Sequence, residues 1–118
     1  MIIGVGCDIV EISRIKKAIG RETFNKKCFT EQELENKDAK SLAGLFAAKE
    51  AVSKSLGTGF SGFSPKDIEI FKASSGKPYA KLYGYAREIS ENLGVKKISI
   101  SIAHSDDNAM AFAVSEGE

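Results

Sequence analysis

A chain of 118 residues is the length of one domain, and it buries about two-thirds of the surface that its unfolded form exposes. One modest core fits, and a site on the surface or between subunits is more natural than a large enclosed cavity. Seventeen basic and sixteen acidic side chains give a net charge of +1, which excludes the large basic excess of a general nucleic-acid binder. Cys7 and Cys28 stand in no metal-ligand spacing. They are too few for a secreted disulfide framework, so a reducing compartment is expected. Met1-Ile2-Ile3-Gly4 has neither a basic leader nor a long apolar stretch. The expectation is a cytoplasmic chain with no signal peptide and no membrane span.

Residues 2–10 form an apolar run with glycines at 4 and 6 and Asp8 near the end. The run reads as a first strand. Ile12, Ile15 and Ile19 then fall at helical spacing, giving a short helix stopped by Gly20. Thr30-Glu31-Gln32-Glu33 has capping-box spacing and opens another short helix. Residues 39–56 are rich in Ala, Leu, Lys and Glu and predict the main helix, ended at Gly57. A loop over 57–65 follows.

Residues 67–72 read as a strand and 74–78 as a turn. Leu82, Ala86, Ile89 and Leu93 predict a further helix ended by Gly94. Ile98, Ile100 and Ile102 alternate with small residues as a half-buried strand. Ser105-Asp106-Asp107-Asn108 turns the chain into a last strand, where Met110, Phe112 and Val114 alternate with alanines. The pattern predicts one α+β domain over 1–118, with an antiparallel sheet and a long central helix.

The main helix carries the most chemistry. Ala43, Phe46, Glu50 and Lys54 fall along one stripe. Glu50 and Lys54 at i, i+4 read either as a solvated ion pair, worth roughly 0.3 kcal/mol, or as a carboxylate and an ammonium at the edge of an apolar surface. The carboxylate there suits a hard cation and the lysine a phosphate. Asp8 reads either as a helix cap or as a metal ligand at a strand end. His104, the one histidine, ends a strand beside a turn, a place for either structural or ligand contacts. Gly76-Lys77-Pro78 is turn chemistry that also offers a cation. Arg14, Lys16, Lys17, Arg21, Lys26 and Lys27 face one acid, Glu22, across residues 13–27. Such a stretch is either a solvated face or a dock for an acidic partner.

Taken together, these segments resemble the holo-[acyl-carrier-protein] synthase family of 4'-phosphopantetheinyl transferases. The resemblance rests on Gly4-Val5-Gly6-Cys7-Asp8-Ile9-Val10-Glu11-Ile12 with Arg14, on Phe29-Thr30-Glu31-Gln32-Glu33, and on the stretch from Phe46-Ala47-Ala48-Lys49-Glu50-Ala51 to Gly59. Asp67-Ile68-Glu69-Ile70, Gly76-Lys77-Pro78 and Ser99-Ile100-Ser101-Ile102-Ala103-His104 follow in the family's order. The chain departs from that pattern at Leu45, where arginine is usual, at Ala103 and at Asn108.

The resemblance implies transfer of the 4'-phosphopantetheine arm of coenzyme A to a serine of apo acyl carrier protein. 3',5'-ADP is released, in the service of fatty acid biosynthesis. It further implies a homotrimer with active sites between subunits. Asp8 and Glu50 would ligate magnesium. Lys54 would contact the coenzyme phosphates, and the loop from Gly57 would help enclose the coenzyme. Lys77, Pro78, His104 and Ser105 of the adjacent subunit would meet the adenosine end. Arg14 would receive the carrier. Glu50 is the candidate base for the serine proton. Two rival readings are a basic-helix interaction module without activity and a coenzyme A-binding regulator without turnover.

Overall fold

The structure is a computed structural model that describes residues 1–35 and 37–118. In chain order it runs β1 (Ile2–Glu11), α1 (Ile12–Ala18), α2 (Glu22–Cys28), α3 (Glu31–Leu34) and α4 (Ala39–Ser55). A 3-10 turn at Pro65–Asp67 leads to β2 (Ile68–Lys72), β3 (Pro78–Leu82), α5 (Gly84–Leu93), β4 (Lys97–His104) and β5 (Asn108–Glu116). All pairings are antiparallel. One sheet has the order β1-β5-β4 and a second pairs β2 with β3, so the expected α+β class holds. Among the described residues no helix is long and apolar enough to cross a membrane.

Helix α4 lies across one face of the three-stranded sheet, and small residues let it come close. Asp38 caps it, accepting from the Ser41 N–H at 2.8 Å. Ala43, Ala47, Ala48 and Ala51 of the helix are fully buried, as are Ala109, Ala111 and Ala113 of β5. The tightest contacts are at β1. A Cβ on Gly6 would lie 2.1 Å from the Ala51 carbonyl oxygen, and one on Gly4 would lie 2.1 Å from that of Ser55. The Gly-x-Gly spacing of β1 is thus the seat of the helix backbone. Interiors packed at near-crystalline density have no slack to absorb an added methyl there.

The opposite face of this sheet is uncovered. The register pairs Ile9 with Met110, Cys7 with Phe112 and Val5 with Val114, and directly paired side chains share a face. Ile9 is 67% exposed, Val5 55%, and Met110 and Phe112 43% each. The sequence placed both alternating sets of β5 in one strand, and the structure shows that the alanines turn inward and the larger side chains outward.

One local expectation is corrected, and one helix is not foreseen by the sequence pattern. Leu82 does not begin a helix. It pairs with Ile68 in β3, Tyr83 is extended, and Gly84 takes a φ of +56°, so the helix starts two residues later. Its end at Gly94, with a φ of +77°, is where the pattern put it. Residues 22–28 form a helix that the periodicity does not announce, because Phe24 and Cys28 alone mark its inner side. The capping box at Thr30 and Glu33 is present in full.

Gly6→Ala is expected to destabilise the fold by about 1–3 kcal/mol, the usual cost of overpacking a dense contact. Urea unfolding measures it. A loss below about 0.5 kcal/mol would mean that α4 is not seated on β1 as described.

Candidate active site

Asp8 follows Gly4 and Gly6 at the same two-residue step, so it points to the same side of β1 as the seat of α4. There it meets the last turns of that helix. Lys54 Nζ lies 3.2 Å from Asp8 Oδ1 and donates to the Cys7 carbonyl at 3.1 Å. Asp8 and Glu50 line one cavity of about 670 Å³. Its floor includes Ile15, Ala18, Phe24 and Phe46, and Arg14 and Arg21 also line it. The fold therefore unites Asp8, Glu50 and Arg14, residues that the sequence could only nominate separately.

The solvated Glu50–Lys54 pair is not what forms. Lys54 turns to Asp8, and Glu50 is left half-buried. Burial raises the Glu50 pKa from its ordinary value, the nearby Asp8 carboxylate raises it further, and Lys54 opposes both. Two carboxylates thus share a partly dry cavity with one ammonium at its edge beside Asp8, an arrangement that favours an added cation. Among the described residues no cluster of three or more His, Cys, Asp and Glu side chains is placed to hold a metal. A two-carboxylate set still suits magnesium, which keeps several waters and takes further oxygens from substrate phosphates. The donors present fit that ion. Gly57 ends α4 with a φ of +82°, and its N–H donates to the Lys54 carbonyl at 2.9 Å, so the following loop leaves the helix right beside this site.

His104 lies on the other flank of α4. Its Nε2 is 3.1 Å from the Lys40 carbonyl oxygen. A carbonyl only accepts, so Nε2 donates, and the acceptor nitrogen of the neutral ring is Nδ1. A Cβ on Gly44 would reach His104 Nε2 at 2.6 Å, so this glycine makes room for the ring. His104 and Pro78 line a second cavity of about 260 Å³ with Leu45, Ser41, Lys37 and Lys72. Lys77 and Ser105 adjoin this cavity without lining it. The Lys77 carbonyl closes a turn by accepting from Ala73 N–H at 2.9 Å, and Ser105 Oγ accepts from Asn108 N–H at 3.0 Å.

The two cavities share no residue, and α4 stands between them. Sequence reasoning missed Lys37 and Lys72, which are isolated lysines in polar stretches and become neighbours of His104 only through the fold. It also missed the apolar floor of the first cavity. Phe24 and Phe46 come from different helices with ring centroids 5.9 Å apart, and no local period links them.

Comparison with known proteins identifies the family of the chain. A family model described as the 4'-phosphopantetheinyl transferase superfamily matches residues 4–113. Holo-[acyl-carrier-protein] synthase of Clostridium acetobutylicum is 50% identical, over 98% of this chain and 98% of that protein. A solved structure of the Plasmodium yoelii acyl carrier protein synthase with ADP bound superposes with a TM-score of 0.91 at 36% identity, covering 100% of this chain and 97% of that one. The Helicobacter pylori holo-[acyl-carrier-protein] synthase in complex with coenzyme A gives 0.85 at 32% identity, over 95% and 99%. This chain belongs to the 4'-phosphopantetheinyl transferase superfamily.

Proposed function

We propose that the protein is a holo-[acyl-carrier-protein] synthase, acting as one transferase domain over 1–118 in the cytoplasm and serving fatty acid biosynthesis. It moves the phosphopantetheine arm of coenzyme A to a serine of apo acyl carrier protein and releases 3',5'-ADP. The observation that carries this reading is the meeting of Asp8 and Glu50 in one cavity, with Arg14 on its wall and Lys54 paired to Asp8 at its edge. The rival interaction module gives the half-buried carboxylate pair no purpose.

In this reading Asp8 and Glu50 hold magnesium. Bound there, the ion would neutralise charge on the coenzyme pyrophosphate and orient its phosphorus for attack. Lys54, already beside Asp8, adds an ammonium aimed at the same phosphates, and preorganised charge of this kind stabilises the transition state without further rearrangement. Glu50 takes the proton from the serine Oγ, a role that suits a carboxylate held above its ordinary pKa. The loop from Gly57 covers the coenzyme. The apolar floor and the arginines receive the carrier, whose acidic surface complements residues 13–27.

The cavity at His104 takes the adenosine end. Lys37 and Lys72 supply cations there beside Pro78, while Leu45 gives the wall an apolar surface; Lys77 and Ser105 join from the adjoining turns. Because α4 separates the two cavities within a chain, one coenzyme bridges them across neighbouring subunits. The uncovered apolar face of Val5, Ile9, Met110 and Phe112 supports such an assembly, and a homotrimer is the arrangement proposed.

Four measurements test the reading. Wild-type protein incubated with apo carrier, coenzyme A and magnesium should add one phosphopantetheine mass to the carrier; an unmodified carrier would leave only the non-catalytic readings. Glu50→Gln should lose nearly all of this transfer yet melt at a higher temperature than wild type near neutral pH without magnesium. The sign follows from the raised pKa. The folded state holds the Glu50 proton more tightly than the unfolded state, so the ionised side chain costs stability above the folded pKa and costs none below its ordinary value near 4.5. The advantage of Gln should therefore fade as pH falls through that window. An unchanged or lower melt at neutral pH would contradict the electrostatic description of the site.

Arg14→Glu should raise the KM for the carrier at least severalfold, with little change for coenzyme A, and added salt should act in the same direction on wild type. Equal effects on both substrates would move the carrier elsewhere. Mixing Glu50→Gln with His104→Ala subunits, each impaired alone, should restore part of the activity once subunits exchange. Self-contained sites would restore none.

A further inference from the structure

Lys49 neighbours Glu50 on α4 but points to the opposite flank, and it is fully buried. Its Nζ donates to Glu33 Oε1 at 2.7 Å, to the Pro65 carbonyl at 3.1 Å and to the Ile68 carbonyl. Three donors meet three acceptors, so the ammonium is completely satisfied. Glu33, 2% exposed, is equally occupied. Its Oε1 also accepts from Thr30 N–H at 2.9 Å, and its Oε2 accepts from Ile70 N–H at 2.8 Å. The Phe29 ring lies 5.6 Å from the ammonium. One side chain of α4 is thereby tied to α3, to the 3-10 turn and to β2.

Such a pair is a poor device for stability alone, since well-packed apolar residues of similar size commonly serve as well or better. Directional contacts do something that apolar packing in this molecule does poorly. The face of α4 on the sheet is alanine against alanine and glycine, with few branched side chains to interlock. Beyond the glycine seats, that side is held near the helix ends, where Ser115 Oγ donates to the Ser55 carbonyl at 3.0 Å, Lys54 Nζ to the Cys7 carbonyl at 3.1 Å and His104 Nε2 to the Lys40 carbonyl at 3.1 Å. Lys49 is the counterpart on the far flank. The requirement for accuracy is strict. A side chain about 6 Å from the helix axis moves about 1 Å when the helix turns by about 10°, and an error of about 1 Å in a reacting geometry costs on the order of 100-fold in rate.

We propose that Lys49 is a positioning residue: bound to Glu33, Pro65 and Ile68, it fixes the rotation of α4 that presents Glu50 to Asp8. The inference rests on the metal-binding role proposed for those two carboxylates. It assigns Lys49 no contact with substrate or metal.

The test uses the full-length protein with Lys49→Met and, to remove the orphaned carboxylate as well, Lys49→Met with Glu33→Gln. Manganese binding in the presence of coenzyme A, read by electron paramagnetic resonance, reports the carboxylate pair directly. Both variants should melt cooperatively. They should bind manganese at least about 10-fold more weakly, and lose on the order of 10- to 100-fold in kcat. Cooperative melting with wild-type manganese affinity and kcat in either variant overturns the proposal. Failure of both variants to fold also overturns it, because the pair would then be a requirement of the fold. Wild-type protein that binds manganese tightly but modifies no carrier would fault the transferase reading instead, and the manganese comparison would still decide the role of Lys49.

Discussion

The close seat of α4 on β1 is the contact on which the rest of the molecule depends. It exists because Gly4 and Gly6 present bare backbone to the carbonyls of Ser55 and Ala51, and because alanines line both α4 and β5. A strand repeats its facing every second residue, so the next side chain after the two glycines has to rise beside the same helix. That side chain is Asp8. The proximity of Asp8 to Glu50 and Lys54 is therefore a consequence of packing geometry, and the Gly-x-Gly-x-Asp order of β1 is both a structural and a chemical instruction.

The charges this seat brings together are not arranged for stability. An ammonium at 3.2 Å neutralises Asp8 in part, while Glu50 remains raised in pKa by burial and by Asp8. The same chain shows elsewhere that it can satisfy a buried carboxylate fully, as Glu33 has three donors. Glu69 likewise accepts from Thr30 Oγ1 at 2.6 Å and from Tyr83 Oη at 2.8 Å. In the proposed reading, the contrast between these saturated carboxylates and the half-buried Glu50 separates groups that hold the fold from a group kept ready for a ligand.

Much of this was legible in the sequence where the signals are local. The capping box at Thr30, the length of α4 and the glycine stop at 94 are written in neighbouring residues, and they stand where the pattern puts them. The order of short motifs was enough to suggest the family. What could not be read depends on the third dimension. Lys54 sits one turn from Glu50 in sequence, yet Asp8, 46 positions away, takes its ammonium. Leu82 fits a helical period equally well as a β-strand neighbour of Ile68, and only the extended Tyr83 and the positive φ of Gly84 decide between them. Lys37, Lys72 and His104 have no common period at all, and they are gathered by the turn before Pro78, the start of α4 and the end of β4.

The two faces of the three-stranded sheet complete the physical argument for a shared site. On the covered face, α4 fills the space between Asp8 and His104, so no small molecule can touch both within one chain except by passing around the helix. On the uncovered face, large apolar side chains at Ile9, Val5, Met110 and Phe112 stay in water, an exposure that soluble monomers usually avoid over a contiguous patch. The first feature leaves two separate cavities, and the second leaves an exposed apolar surface. In the proposed assembly, association of identical chains through the open face answers both at once. It removes the apolar patch from water and can bring the His104 flank of one subunit to the Asp8 flank of the next. In the proposed assembly the smallness of the chain is then no obstacle to holding a long substrate such as coenzyme A, because the cavity is built from surfaces that each subunit already exposes.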